Sequence, residues 1–190
     1  MKARGRGENR VLFIWTNGAC SCILLMEGAP NPFGAAGIAK ERKMVREPEV
    51  TYKIMSAIKS KNTKPELLLA KELWRRGMRY RKNYAKLPGK PDLVFVKARL
   101  AVFCDGDFWH GHNWVLRGYG SLKEEVSRYS AYWAEKIMNN VARDERVNAR
   151  LEEAGWTVIR VWESDIKRDL QACADQIQTV YSRKMSSLNY

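Results

Sequence analysis

Two short stretches of this 190-residue chain carry the residue types from which hydrolytic chemistry is built. The first is Leu87-Pro88-Gly89-Lys90-Pro91-Asp92, a stiff basic loop that delivers an aspartate to the start of an apolar run. The second is Cys104-Asp105-Gly106-Asp107-Phe108-Trp109-His110-Gly111-His112, which closes the next apolar run. If the two runs pair as neighbouring antiparallel strands, Asp92 comes to lie beside the Cys104–Asp105 backbone. A carboxylate so placed can take a hard divalent cation through oxygen, and such an ion polarises a phosphate and lowers the pKa of water. The competing reading makes Asp92 an ordinary turn residue after proline; the carboxylates in register on the second run favour the cation.

His110 and His112 are the only histidines in the chain. An imidazole titrates near neutrality and suits the part of general base beside a metal-bound phosphate. His-x-His can also offer two zinc ligands, but a structural zinc wants four, commonly Cys and His, and no cysteine follows nearby. Zinc is therefore disfavoured. Phe108, Trp109 and Trp114 stand beside glycines and read as an aromatic wedge able to stack on bases or enter a base step. The alternative packs these rings beneath the loop, and for Trp114 the two readings stand level. Glu66 also has two readings. As the fourth residue of Thr63-Lys64-Pro65-Glu66 it completes a helix capping box; it could instead point from the helix N-terminus at the cation and orient water. Spacing alone prefers the cap.

Positioning these groups takes a sheet with helices around it. Residues 52–61 read as a short amphipathic helix with Ile54, Met55 and Ile58 on one side. A second helix starts at Thr63, buries Leu67, Leu68, Leu69, Leu73 and Trp74, and is closed by Gly77. Residues 78–83 suit an edge strand. Residues 92–96 and 100–104 are nearly continuous apolar runs around Lys97-Ala98-Arg99, the pattern of a hairpin covered on both faces. Residues 105–120 form a Gly- and aromatic-rich loop. Residues 127–154 form a long helix with Tyr132, Trp133, Ile137, Val141, Val147 and Leu151 at helical spacings, stopped by Gly155. Residues 156–163 alternate as a strand, and Ser164 caps a final helix reaching Ser182. The order α-α-β-β-β-α-β-α predicts an α/β sandwich with a central mixed sheet.

Composition narrows the partner. The chain carries 34 Lys and Arg against 21 Asp and Glu, a net charge of +13, and is 45% apolar, enough to bury a core. Residues 51–100 alone hold 14 basic and 3 acidic side chains, a net +11. A phosphate backbone is the natural complement of so concentrated a charge, with nucleic acid ahead of a membrane surface. Four cysteines make no disulfide framework and point to a reducing compartment. Residues 1–43 differ from the rest. A basic start precedes apolar runs too short and interrupted to span a membrane, and the segment is expected to be a weakly ordered, dispensable extension upstream of Met44. A catalytic domain over 44–185 and a tail at 186–190 complete the expected division.

Read together and in order, six blocks resemble the very-short-patch repair (T:G mismatch) endonucleases. They are Met55-Ser-Ala-Ile58 with Thr63-Lys-Pro-Glu66, Leu87-Pro-Gly-Lys-Pro-Asp92, Phe103-x-Asp-Gly-Asp-Phe-Trp-His110, Tyr132-Trp-x-x-Lys-Ile137, Asn140-x-x-Arg-Asp144, and Gly155-Trp-x-Val-Ile-Arg-Val-Trp-Glu163. The resemblance runs from about Val50 to Arg168 and does not reach residues 1–43. It implies a restriction-endonuclease-like three-layer α/β/α sandwich that nicks one strand of double-stranded DNA at a T:G mismatch using Mg2+. By that resemblance Asp92 is the main magnesium ligand and the Cys104 carbonyl a second. His110 is the base at the attacking water and Glu66 assists through water. Phe108 and Trp109 form the wedge, with Met55 entering from the other side. Lys90, with Lys86, Arg79 and Arg81, would hold the DNA backbone. The family's best-known members place histidine where this chain has Asp105 and cysteine where it has Asp107. They also hold a structural zinc, whose cysteine positions fall here on Trp114 and Ser164, so zinc is not expected although His112 is present. Asp105 stands among the catalytic candidates as an added metal ligand or phosphate-site residue. The expected setting is the cytoplasm, at the nucleoid, as a monomer with mismatch-repair proteins as partners. A restriction or homing-type nuclease of the same fold is one alternative. A non-catalytic DNA-binding module is the other, and joint retention of Glu66, Asp92 and His110 argues against it.

Overall fold

The computed structural model describes residues 62–188, together with the backbone of a small antiparallel strand pair, β1 (Trp15–Thr16) and β2 (Ala19–Cys20). The expected helix over 52–61 with Met55, and the rest of the 1–43 extension, lie outside the described residues.

Helix α1 spans Lys64–Arg75 and begins where the capping signal stands. Thr63 Oγ1 accepts from the Glu66 backbone N–H at 3.4 Å, and Glu66 Oε2 accepts from the Thr63 N–H at 3.3 Å. The buried stripe is narrower than expected. Leu69, Ala70 and Leu73 face the core, whereas Leu67, Leu68 and Trp74 are 38%, 49% and 51% exposed. On a helix only positions three and four apart share a face, so a run of consecutive leucines cannot all turn inward.

Four strands form one sheet in the order β3 (Arg81–Lys82), β4 (Leu93–Phe95), β5 (Leu100–Asp105) and β6 (Thr157–Trp162). The hairpin is present: β4 pairs antiparallel with β5, Leu93 opposite Val102, and the reversal closes through Arg99 N–H to the Val96 carbonyl at 3.2 Å. β5 then pairs in parallel with β6, from Leu100 opposite Thr157 to Asp105 opposite Trp162. The edge strand expected over 78–83 contracts to two residues. Met78 is buried and its N–H still bonds the Leu73 carbonyl of α1, while Asn83 turns to φ +47° and leaves the extended region.

Helices cover both faces. Short helices α2 (Asn113–Leu116) and α3 (Leu122–Val126) interrupt the loop after β5, and the long helix α4 runs over Ala131–Glu153. The expected helix start at Ser127 is therefore corrected to Ala131, because residues 127–130 close α3 and reverse the chain. The final helix is broken in two, α5 (Glu163–Arg168) and α6 (Leu170–Ser186). Asp169 interrupts it by accepting the Ala172 N–H at 2.8 Å, the favoured behaviour of an aspartate at an N-cap; Ser164 lies inside α5 and Trp162 takes the cap. Leu93, Phe95, Leu100, Val102, Ile159 and Val161 form the main core with α1, α5 and α6. Ala101, Phe103 and Val158 pack on the opposite face against Val147 and Leu151 of α4. This is the three-layer sandwich the sequence predicts. None of the described helices is long and apolar enough to cross a membrane.

The Pro/Gly loop before β4 is keyed to α4 at one atom. Gly89 sits at φ +73°, and a Cβ there would stand 2.5 Å from Val147 Cγ1 and 3.3 Å from the Phe103 ring. Gly89→Ala should cost about 1–3 kcal/mol through overpacking and left-handed backbone strain. A urea titration checks this; an unchanged midpoint would show that the loop is free of α4.

Candidate active site

Asp92 immediately precedes β4, and the β4–β5 register carries it to the far end of β5. Its Oδ2 accepts the Cys104 backbone N–H at 2.8 Å. Burial raises the Asp92 carboxyl to about 6; the Cys104 N–H and the His110 charge pull it down, while the charges of Glu66 and Asp105 push it further up. Glu66 is 2% exposed. Its Oε2 serves the capping box, whereas Oε1 is buried without a hydrogen bond, the Lys82 ammonium standing 3.8 Å away. The two readings of Glu66 are therefore not rivals, since one oxygen caps and the other is left over. The Cys104 thiol is pushed well up by burial and by Asp92, Asp105 and Glu66, so it stays protonated. What Cys104 can offer a hard cation is its carbonyl oxygen. Among the described residues no three His, Cys, Asp or Glu side chains converge at metal-ligand spacing. A desolvated carboxylate and an orphaned carboxylate oxygen nevertheless fit a hard dication, of the kind that keeps much of its water and takes few protein oxygens.

On the α4 side, four charged groups close a ring. Asp105 gives Oδ2 to Arg160 Nη1 at 2.6 Å and Oδ1 to His110 Nδ1 at 3.7 Å. Asp144 hydrogen-bonds His110 Nδ1 through Oδ2 and reaches Arg160 Nη2 through Oδ1 at 3.3 Å. Arg160 Nε donates to Asn148 Oδ1 at 3.1 Å. Burial would lower the His110 pKa, but the Asp144 hydrogen bond and the charges of Asp105 and Asp144 outweigh it; Arg160 opposes them, and the net is a raised imidazole. For Asp144 burial pushes upward, and the His110 bond with the Arg160 charge brings the carboxyl below its ordinary range. Asp105, read as an added metal ligand or phosphate-site residue, thus spends its carboxylate on Arg160 and His110.

Asp144, Asn148 and Arg160 join the site without standing among the residues that the sequence motifs mark for it. Their signals were present. Asn140, Asp144 and Asn148 recur every fourth residue and so share one face of α4. Arg160 is the lone charge within the otherwise apolar Val158–Trp162 run. Asn140 also serves the site, donating Nδ2 to the Trp109 carbonyl at 3.0 Å.

The rest of the loop is held by its own contacts. Asp107 accepts from Ser164 Oγ at 2.7 Å and Ser164 N at 3.0 Å and lies 2.8 Å from His112 Nδ1. Although burial pushes its carboxyl up, these bonds bring it below the ordinary range. The His112 ring stacks on Trp162 at 4.2 Å. Phe108 and Trp109 are half-buried: Phe108 packs edge-on against Trp109, Tyr129 and Trp133 at 5.2, 5.7 and 5.8 Å. The two rings therefore pack on Trp133 of α4 instead of projecting unsupported. Trp114 is half-buried too, lining a cleft of about 230 Å³ behind His110 with Val115, Leu122 and Val141. Arg79, Arg81, Lys86 and Lys90 are all exposed, Arg79 resting 4.0 Å above the Trp74 ring.

Comparison with known proteins supplies a context for this geometry. Residues 44–116 match the model of the DNA mismatch endonuclease Vsr family. The type II nicking enzyme V.NmeDIP of Neisseria meningitidis serogroup C is 44% identical over 69% of this chain and 85% of its own length. V.HpaIIP of Haemophilus parainfluenzae, also a type II nicking enzyme, is 42% identical over 72% of this chain and 94% of its own. The DNA mismatch endonuclease Vsr of Escherichia coli K12 is 37% identical over 65% and 75%.

The raised Asp92 carboxyl has a measurable consequence. A folded-state pKa of about 6 against an ordinary 3.8 means that ionisation taxes the fold, so stability present at low pH is lost as pH rises through that window. Asp92→Asn keeps the acceptor for the Cys104 N–H and removes the charge. With chelator present, the variant should be more stable than the parent above pH 6 by on the order of 1–3 kcal/mol, and level with it near pH 4. Melting curves across pH check this, and a variant less stable at pH 8 would contradict the assigned environment.

Proposed function

The chain belongs to the Vsr family of DNA mismatch endonucleases, and from that membership we propose that it nicks one strand of duplex DNA beside a T:G mismatch with Mg2+ bound at Asp92. It is a DNA endonuclease of restriction-endonuclease-like fold. The observation that carries the finer reading is the Asp92 carboxylate, buried, short of positive charge and within electrostatic reach of His110.

In this reading Asp92 and the Cys104 carbonyl would hold the ion, and Glu66 Oε1 would orient a water. Mg2+ there supplies Lewis-acid polarisation of a phosphate oxygen. Asp144 is an acceptor, so the neutral His110 ring carries its proton on Nδ1 and keeps the Nε2 lone pair for the attacking water. As the water oxygen bonds phosphorus its proton passes to Nε2, one bridging P–O bond breaks, and the leaving oxygen departs with its strand end and takes a proton from solvent; the imidazolium is stabilised by Asp144 and Asp105. Phe108 and Trp109 enter the base step at the mismatch, and Met55, outside the described residues, meets them from the other side. Lys90, Lys86, Arg79 and Arg81 bind flanking phosphates as exposed cations. One such centre cuts one strand, so a monomer suffices.

Nicking of paired duplexes, one with T:G and one fully matched, tests the proposal on a denaturing gel. With Mg2+ only one strand of the mismatched duplex should be cut. Asp92→Ala and His110→Ala should each slow cutting by on the order of 10²–10⁴-fold while mismatched DNA remains bound. Equal cutting of both duplexes would refute the mismatch requirement, and normal cutting by Asp92→Ala would refute the site.

A further inference from the structure

We propose that Arg160 is a positioning residue of this centre, its guanidinium joining Asp105 and Asp144 so that His110 is gripped by two carboxylates and still gives up its proton. The inference rests on the reading of His110 as the base. Each carboxylate divides its oxygens in the same way. Asp105 Oδ2 and Asp144 Oδ1 go to Arg160 Nη1 and Nη2 at 2.6 and 3.3 Å, and the remaining oxygen of each faces His110 Nδ1. Asn148 takes the guanidinium Nε, and the Phe103 ring lies 4.5 Å from its Cζ, so the fork has one orientation available. The Arg160 side chain is 9% exposed and that of Asp105 5%. A planar guanidinium is the side chain that can bridge two carboxylates with separate donors while staying charged at every working pH.

Counting charge shows what the bridge does. With His110 neutral, the two aspartates and Arg160 leave one net negative charge on the ring; without Arg160 there would be two, both aimed at Nδ1. The other charged groups nearby do not substitute. Arg143 lies 3.5 Å from Asp144 but its side chain is 57% exposed. Glu145 lines the cleft and Asp92 stands at the foot of β4, and both add negative charge. Two uncompensated carboxylates would hold the imidazolium and take the base away at neutral pH.

Arg160→Gln removes the charge but keeps hydrogen-bonding capacity for Asp105 or Asn148, and Arg160→Met removes both. Two readouts separate positioning from a merely structural role. The acid limb of kcat for nicking should move up by about one to two pH units in both variants, with KM for DNA unchanged, and Arg160→Lys should bring it partly back. In the free protein, the Cε1–H signal of His110 should titrate at a correspondingly higher pH. His112 is the only other imidazole, and His110→Gln assigns the pair. If the variants lose thermal stability while both the limb and the His110 titration stay in place, Arg160 is structural and the inference is overturned. The imidazole titration is read without DNA or metal, so it decides the role of Arg160 even if the parent protein cuts no substrate.

Discussion

Crowded negative charge is the constraint around which this end of the molecule is built. Glu66, Asp92, Asp105 and Asp144 gather near the ends of β4 and β5, where the proposed mechanism brings a phosphodiester. Asp105 and Asp144 are matched internally by Arg160. Asp92 and Glu66 are not: one has its carboxyl raised by burial and the other keeps an oxygen without a hydrogen bond. One half of the site is thus bridged within the protein by Arg160, while in the other the nearest cation to Glu66 Oε1 is the half-exposed Lys82 ammonium at 3.8 Å. In the proposed mechanism the half with fixed geometry moves the proton, and the half that an ion would complete binds the phosphate.

The central strand makes this division possible. Along β5, Leu100 and Val102 belong to the core beneath α1 and α6, while Ala101 and Phe103 belong to the core beneath α4. Continuing the alternation turns the Asp105 side chain toward the α4 face, where Arg160 and Asp144 meet it. The Asp92–Cys104 bond ties the preceding strand to the same end. The α1 N-terminus contributes by economy, its capping glutamate using one oxygen for the helix and leaving the other for the site.

A single rigid element then aligns the chemistry with the wedge. Asn140 holds the Trp109 carbonyl, Trp133 packs on Phe108 and Trp109, and Asp144 holds His110, all from α4. Groups mounted on one helix keep their spacing, so aromatic rings seated in DNA as proposed would also set where the imidazole falls relative to the backbone. The Asp107–Ser164–His112 contacts anchor the same loop from the opposite side, at the start of α5.

Signals local in sequence could be read from the chain without coordinates. The capping box at Thr63–Glu66, the hairpin around Lys97-Ala98-Arg99, the strand over residues 156–163 and the clustering of Asp92 with the Cys104–Asp105 segment follow from periodicity, turn chemistry and short spacing. Features that depend on which of several local options packing selects did not follow. Leu67, Leu68 and Trp74 are as apolar as Leu69 and Leu73, and only the direction of the sheet distinguishes them. Asp169 ends one helix and starts the next because its carboxylate finds the Ala172 N–H, a competition that helical periodicity alone does not reveal. Arg160 and Asp105 are 55 residues apart, and nothing in either neighbourhood names the other. Pairing β5 with β6 in parallel brings them together, and at such separation chain entropy gives a contact no local signature.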